Sequence, residues 1–367
     1  MNRIMIAAAG TGGHVFPALA VAEQLRSYGW EVVWLGTTEQ RLESKVVPAA
    51  GFKLEQIAMQ GMRGHGLMRK LGTPWRLFKA FLQCRKLLKR HRSQLLLTFG
   101  GYVCGPAGLA ARSLSVPLLV HEQNAVAGLT NKLLARFAQH VMLGFGAAKK
   151  QLPMAEITGN PLRANWLAKE VTASTDGKLK LLIVGGSLGA QALNEAVPAA
   201  IAQLDAALQN NLIVQHQCGQ GREVAVKAAY GPVTAQVQVE EFITDMHRAY
   251  SSADIVICRA GALTVAELAV VGTPAVFVPL PHAVDDHQTA NARELVEAGA
   301  ARLLPQSELV QIEPLVQVLN ELLRDEEMRR AMQKHAAQAA YPNATEAVVN
   351  QCERWANPEK LTVGSKQ

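Results

Sequence analysis

Acidic residues are missing from a long stretch of this sequence. Between Glu55 and Glu122 there is none, while eleven Lys or Arg fall there. Residues 1–163 carry 21 basic and 7 acidic side chains, a balance of +14; residues 164–367 carry 16 and 23, a balance of −7. The net charge of +7 therefore hides two halves of opposite sign. A basic half of this kind points to an anionic partner: nucleic acid, lipid head groups or a phosphorylated substrate. Cysteine is also scarce. The five that occur show no C-x-x-C pair and no His/Cys spacing suited to zinc, so they fit buried small hydrophobes in a reducing compartment. No run of eighteen apolar residues occurs, and the apolar N-terminal stretch is too short for a signal peptide, so a cytoplasmic protein without a membrane span is expected. There is no D-x-D pattern and no tandem repeat.

What is present is a globular chain: 367 residues, 49% hydrophobic and 18% charged, long enough for two domains. Apolar strand candidates alternate with helical segments in both halves, as in parallel α/β domains. They lie near 3–9, 31–35, 53–58, 94–98, 117–120 and 139–143 in the first half. In the second they lie near 179–184, 211–217, 254–258 and 274–278, with a weaker one at 301–304. The stretch TGNPLRANW (158–166) combines Gly and Pro with the change of charge and marks a boundary between 1–163 and 164–340, with a helix at about 341–357 packing back on the first domain. Both halves open alike, with an apolar strand, a glycine turn and a helix: AAAGTGGHVFPALA and LLIVGGSLGAQALNE. Two Rossmann-like domains facing one another would bind ligand at the carboxyl ends of their strands.

The first glycine turn is not a dinucleotide fingerprint. Counting G-x-G-x-x-G from Gly10 finds Gly12, but Val15 stands where the third glycine belongs. Strand EVVWLG ends in Gly36 without the acidic residue that a dehydrogenase places on the ribose. Gly10, Gly12 and Gly13 instead leave backbone amides open to an anion, and Pro17 suits the first turn of the helix that follows. His14 at the tip is either a general base near neutral pH or a cap on the loop. A second turn, FGGYVCGP (99–106), and a third loop, HEQNAVAG (121–128), follow the next strands on the same side, the latter offering His121, Glu122 and Asn124. If His14 only shapes its loop, Glu122 is the other candidate base.

In the second half ICRAGALTVAELAVVG (257–272) turns at Gly261 into a helix whose first amides suit a diphosphate. Glu267, about a turn further on, either accepts hydrogen bonds from both ribose hydroxyls or simply complements the helix dipole. The segment 276–292 gathers His282, Asp285, Asp286, His287, Gln288 and Asn291, a set suited to sugar hydroxyls; its irregular spacing does not suit a metal, and none is expected.

The acid-free run 62–92 reads as a helix from Pro74, with Leu77, Phe81, Cys84 and Leu88 on one side and Arg76, Lys79, Lys86 and Arg90 on another. Trp75 and Leu82 border the basic side, and Leu67, Met68 and Leu71 precede it. Such a face is either solvated or seated on an anionic bilayer; the lack of mixed charge and the aromatic rim favour the bilayer.

The motifs GTGGHVFPALA, GGYVCGP, HEQNAVAGLTN, GNPLR, GGSLGAQ and CRAGALTVAE stand in the order found in the MurG-type glycosyltransferases, and the resemblance covers nearly the whole chain. It implies the two-domain GT-B fold and transfer of N-acetylglucosamine from UDP-N-acetylglucosamine to an undecaprenyl-diphosphate-linked N-acetylmuramyl-pentapeptide in peptidoglycan synthesis. It further implies inversion to a β1,4 linkage, no cofactor, and peripheral attachment to anionic lipid on the cytoplasmic face of the inner membrane. The first domain would then serve acceptor and membrane, the second UDP-N-acetylglucosamine. Matched residue by residue, donor contacts fall on Thr11, Gly12, Gly13, Asn124, Arg163, Ser187, Ile243, Ala262, Leu263, Thr264, Val265, Ala266, Glu267 and Gln288. Glu267 matches the ribose-binding glutamate and His14 the candidate base. Two departures stand out: His287-Gln288 replaces a frequent Gln-Gln, and Leu188 fills a slot that is often Gln. The alternatives are a UDP-N-acetylglucosamine epimerase or another UDP-sugar enzyme of the same fold, and a non-enzymatic membrane or nucleic-acid binder. No stacking-rich RNA motif accompanies the basic half, so nucleic acid is not an expected partner.

Overall fold

The computed structural model describes residues 1–39, 41–59, 73–167, 177–186, 188–281 and 286–356. They form two compact units, Met1–Arg163 with the chain from Pro342 onward, and Ala164–Tyr341. In the first unit β1 (Arg3–Ala7), β2 (Glu31–Thr37), β3 (Lys53–Ile57), β4 (Leu95–Thr98), β5 (Leu118–Glu122), β6 (His140–Leu143) and β7 (Glu156–Ile157) build a parallel sheet in the order β3-β2-β1-β4-β5-β6-β7. Its helices are α1 (Gly12–Ser27), α2 (Leu42–Ala49), α3 (Thr73–Arg90), α4 (Cys104–Ser113) and α5 (Leu129–Ala135).

The continuous apolar run of β1 is explained by burial on both faces, as parallel strands require. Ile4, Ile6 and Ala8 pack with α1 and with Val348, Val349 and Cys352 of the C-terminal helix Ala344–Ala356. Met5, Ala7 and Ala9 pack on the other face with Ala80, Cys84 and Leu88 of α3 and Cys104 and Ala107 of α4. The C-terminal helix is fastened by Thr345, whose hydroxyl accepts from the Leu162 amide at 3.0 Å and donates to the Leu162 carbonyl at 2.7 Å. All five cysteines are buried and unbridged, and burial pushes the Cys84 and Cys104 thiols up to about 12.

The second unit repeats the plan. Strands β8 (Leu179–Val184), β9 (Leu212–Gln217), β10 (Gln236–Glu240), β11 (Ile255–Cys258), β12 (Ala275–Phe277) and β13 (Ala301–Leu303) run parallel in the order β10-β9-β8-β11-β12-β13. They alternate with α6 (Gln191–Ala202), α7 (Ala206–Asn210), α8 (Glu223–Tyr230), α9 (Met246–Ser252), α10 (Ala262–Val271), α11 (His287–Glu297), α12 (Glu313–Arg324) and α13 (Glu326–Ala339). Leu181, Ile183, Val197, Ile201, Leu315 and Leu319 lie at the centre of its core.

Two strands fall outside the expectation from sequence. β7 has only two residues, and β10 is the edge strand QVQVE, whose alternation of exposed Gln with partly buried Val lacks the apolar run of its neighbours. β5 is longer than expected, so His121 and Glu122 close the strand instead of opening the loop.

In each sheet the chain reverses its direction of winding between two central strands, β1 and β4 in one unit, β8 and β11 in the other. The crevice outside the carboxyl ends of such a pair is where open α/β sheets take ligands. The glycine turns of the sequence fall at these four strand ends.

Candidate functional site

In the first unit the turn after β1 is pinned from beneath, and the Gly10 amide, expected from sequence to stand open to an anion, is taken by a carboxylate of the same unit. Gly10 (φ +102°) donates its amide to Glu43 Oε2 at 3.0 Å, and Glu43, fully buried at the start of α2, accepts Thr37 Oγ1 on its other oxygen at 3.0 Å. Thr11 caps α1 without a side-chain bond to the helix; its Oγ1 lies 3.3 Å from His14 Nδ1. The other side of the His14 ring rests on the turn after β4. A Cβ at Gly100 (φ +103°) would fall 2.9 Å from His14 Cδ2 and 3.0 Å from Nε2, so only glycine lets the ring take this position. Cys104 holds that turn by donating its thiol to the Gly100 carbonyl at 3.0 Å. On α1 the Phe16 ring fills the space beside Gly12, and the Arg163 guanidinium lies 5.7 Å above that ring. Thr11, Gly12, Gly13, His14 and Arg163 thus gather at the N-terminus of α1.

The loop after β5 is arranged differently from the expectation. Glu122 is 2% exposed and both its oxygens are engaged: Oε1 accepts the Asn124 amide at 2.9 Å and Asn124 Nδ2 at 3.3 Å, while Oε2 accepts the Gly128 amide at 2.9 Å and Asn131 Nδ2 at 2.8 Å. With both oxygens engaged, Glu122 braces its loop, a role distinct from the general base that the sequence offers as its alternative. His121 is likewise turned inward. Its Nε2 donates to the Gly159 carbonyl at 3.0 Å, its Nδ1 accepts from Gln123 Nε2 at 3.0 Å, and burial pushes it down to about 4, which keeps it neutral. Asn124 is half-buried in this loop. Glu43 and Asn131 escaped the sequence reading because their partners are backbone and side-chain atoms on other elements.

In the second unit α10 begins behind Gly261, an extended N-cap without a side-chain bond, so its opening amides have no carbonyl partner within the helix. Ala262 and Val265 are buried, and the buried Tyr250 phenol engages the Thr264 side chain, which leaves backbone as the means by which these residues meet a ligand. Glu267 is the sixth residue of α10 and partly exposed. It lies beyond the first turn, which weakens the helix-dipole explanation of the sequence reading. Arg259, one residue ahead of the turn, is structural: it donates to the carbonyls of Val278 at 2.9 Å and Pro279 at 3.1 Å and to Gln306 Oε1 at 2.6 Å. Gln288 ties the first turn of α11 to the segment after β12 by accepting the Leu280 amide at 2.9 Å. Ile243 is buried. Leu188 is 84% exposed. Ser187, His282 and Asp285 lie outside the described residues. Among the described residues no group of three or more His, Cys, Asp or Glu is arranged to hold a metal ion.

The amphipathic segment is the helix α3. Ala80, Cys84 and Leu88 are buried and Leu77 and Phe81 half-buried, while Arg76, Lys79, Lys86 and Arg90 are exposed. Trp75, Phe78 and Leu82 form an exposed apolar stripe beside the cations; Trp75 stacks on Phe78 at 5.8 Å and Lys79 Nζ lies 5.4 Å above the Trp75 ring. Phe78 was missed from sequence, although its spacing three residues after Trp75 carries the signal. Leu67 and Met68 lie outside the described residues. Among those described, no helix is long and apolar enough to cross a membrane.

With this geometry in place, the comparisons with known proteins become specific. Residues 4–143 match the glycosyltransferase family 28 N-terminal domain and residues 180–348 the family 28 C-terminal domain. A protein of Idiomarina loihiensis named UDP-N-acetylglucosamine–N-acetylmuramyl-(pentapeptide) pyrophosphoryl-undecaprenol N-acetylglucosamine transferase is 55% identical over 96% of this chain and 98% of its own. The crystal structure of Acinetobacter baumannii MurG superposes with a TM-score of 0.84 at 44% identity, covering 96% of this chain and all of that one. The UDP-GlcNAc 2-epimerase of Neisseria meningitidis superposes over 96% of this chain and all of that one with a TM-score of 0.68 at 12% identity, a likeness of fold alone. The chain has the GT-B architecture and belongs to glycosyltransferase family 28 and, within it, to the family of these UDP-N-acetylglucosamine–N-acetylmuramyl-(pentapeptide) pyrophosphoryl-undecaprenol N-acetylglucosamine transferases.

Proposed function

We propose that this chain moves N-acetylglucosamine from UDP-N-acetylglucosamine to undecaprenyl-diphosphate-linked N-acetylmuramyl-pentapeptide, with inversion at the anomeric carbon, on the cytoplasmic face of an anionic membrane. The observation that carries the reaction is the full-length likeness to transferases whose name states it, at 55% identity. In the displacement the acceptor hydroxyl oxygen bonds to the anomeric carbon as the carbon–oxygen bond to the diphosphate breaks. The electron pair leaves with UDP, and the acceptor proton passes to the His14 imidazole. The open amides at the start of α10 and the glycine turn after β8 receive the charge that develops on UDP. Glu267 accepts the ribose hydroxyls. Gln288 contributes its amide group to the sugar. Thr11 orients the His14 ring, and the Gly100 turn backs it.

Attachment to lipid is assigned to α3. Trp75, Phe78 and Leu82 offer apolar area beside Arg76, Lys79 and Lys86, the pattern of a surface-seated amphipathic helix.

The test is incubation with UDP-N-acetylglucosamine and a short-chain lipid-linked muramyl-pentapeptide, read by mass spectrometry. One N-acetylhexosamine added per UDP released, only when acceptor is present, is the expected result. Conversion of the donor to its 2-epimer, or UDP release without acceptor, would overturn it in favour of an epimerase or hydrolase.

A further inference from the structure

The glycine turn after β8 makes its closest contacts with another turn. At Gly189 (φ +70°) a Cβ would lie 2.1 Å from the Cys218 carbonyl oxygen, and at Gly219 (φ +89°) one would lie 2.7 Å from Gly189 Cα. The turns after β8 and β9 therefore meet backbone to backbone with no side chain between them. The Cys218 carbonyl at that contact accepts Asn194 Nδ2 at 3.0 Å. Asn194 stands in the first turn of α6, and its Oδ1 lies 3.1 Å from His216 Nε2; His216 Nδ1 lies 2.8 Å from the Tyr230 hydroxyl.

The protons in this chain of groups have one consistent arrangement. A carbonyl only accepts, so Asn194 must turn its NH2 to Cys218 and its oxygen to His216. Nε2 then carries the imidazole hydrogen, and Nδ1 accepts from Tyr230 O–H. Tyr230, His216 and Asn194 are all buried, at 3%, 0% and 6% exposure, and burial holds His216 down to about 4, so the neutral ring persists at physiological pH. A second side chain holds the other end of the same turn: Gln217 Nε2 donates to the Gly186 carbonyl at 3.0 Å and to the Glu241 carbonyl at 2.9 Å.

We propose that Tyr230, His216 and Asn194 form a positioning relay that fixes the glycine turn after β8 in the shape that receives the donor's diphosphate. The proposal rests on the reading of that turn as part of the UDP site. None of the three touches the reacting atoms; they hold the Cys218 carbonyl against Gly189, so that the turn meets the anion already formed and little ordering remains to oppose binding. The relay runs from the far end of α8 to the ligand end of β8, which separates it from ordinary packing: its loss should be felt by phosphate and not by base.

The test compares UDP and uridine binding, by calorimetry and by competition, in the full chain and in Asn194→Ala and Tyr230→Phe. Asn194→Ala removes both the bond to the Cys218 carbonyl and the bond to His216, and is expected to weaken UDP by about tenfold while uridine stays within about twofold. Tyr230→Phe, which removes a single oxygen from the remote end, is expected to give a smaller loss of about threefold with the same split, and it decides the matter if Asn194→Ala does not fold. Unchanged UDP affinity in the folded variants, or equal losses of UDP and uridine, would overturn the relay alone. A parent chain that binds no UDP would overturn the reading of the turn itself.

Discussion

Whether a carboxylate at the ligand end of a parallel sheet binds, reacts or braces is decided by its partners. Glu122 and Glu43 spend both oxygens on backbone amides and neighbouring side chains of their own unit, and each holds a loop in place. Glu267 is partly exposed in the second turn of α10, and its proposed role is the ribose contact. Glu267→Ala is expected to weaken UDP binding by about 1.5–3 kcal/mol, since charge-assisted hydrogen bonds to the ribose are lost. Calorimetry that finds the parent's affinity would return Glu267 to the helix. His14→Ala is expected to slow turnover by roughly two to four orders of magnitude and leave UDP affinity close to the parent's. A loss below about tenfold would make His14 a loop-shaping residue. Both side chains were legible in the sequence because a polar group beside a glycine turn in an apolar run is conspicuous. Glu43 was not: it is 33 residues from the Gly10 amide it accepts, and nothing in LESKVV announces that pairing. Asn194 and His216 were invisible for the same reason, being defined by a carbonyl and a hydroxyl on other elements.

Among the elements, the strands buried on both faces were readable as apolar runs, whereas β10 was not, because an edge strand with one solvated face needs no such run. The helix α3 was readable on both sides, since its inner face repeats at helical spacing and its outer face lacks acid. Its outer face carries the proposed lipid contact. Each cation near an anionic surface contributes about 1 kcal/mol, fading within a Debye length, so replacing Arg76, Lys79 and Lys86 by Gln should remove about 3 kcal/mol of vesicle affinity if they act independently. Co-sedimentation with phosphatidylglycerol vesicles at low and high salt reads this. The parent should bind less at high salt, with a remainder from Trp75, Phe78 and Leu82, and a soluble short-chain acceptor should serve the variant almost as well as the parent. Equal sedimentation of the two proteins would leave α3 as a solvated face.

On the scale of the molecule, each unit carries a buried neutral histidine next to its ligand end, His121 in one and His216 in the other, both pushed down to about 4 by burial. An unfolded histidine titrates near 6.5, so between about pH 6.5 and 4 the unfolded chain binds protons that the folded chain refuses. Stability should therefore fall as pH falls through that window, by roughly 1.4 kcal/mol per pH unit for each histidine. Urea unfolding at several pH values checks it, with His121→Gln expected to flatten the dependence; a parent as stable at pH 5 as at 7.5 would contradict it. The repeated strand–turn–helix opening made two α/β units legible from sequence, and the strand order then explains why the glycine turns cluster: they lie where the winding reverses, a fact that belongs to topology and not to any local pattern. The most direct measurement of the whole is the configuration of the glycosidic bond made from α-linked UDP-N-acetylglucosamine and a short-chain lipid-linked acceptor, read by proton NMR. A β linkage, formed only with acceptor present, is the result expected of a single displacement assisted by His14. An α linkage, or donor consumed without acceptor, would contradict it.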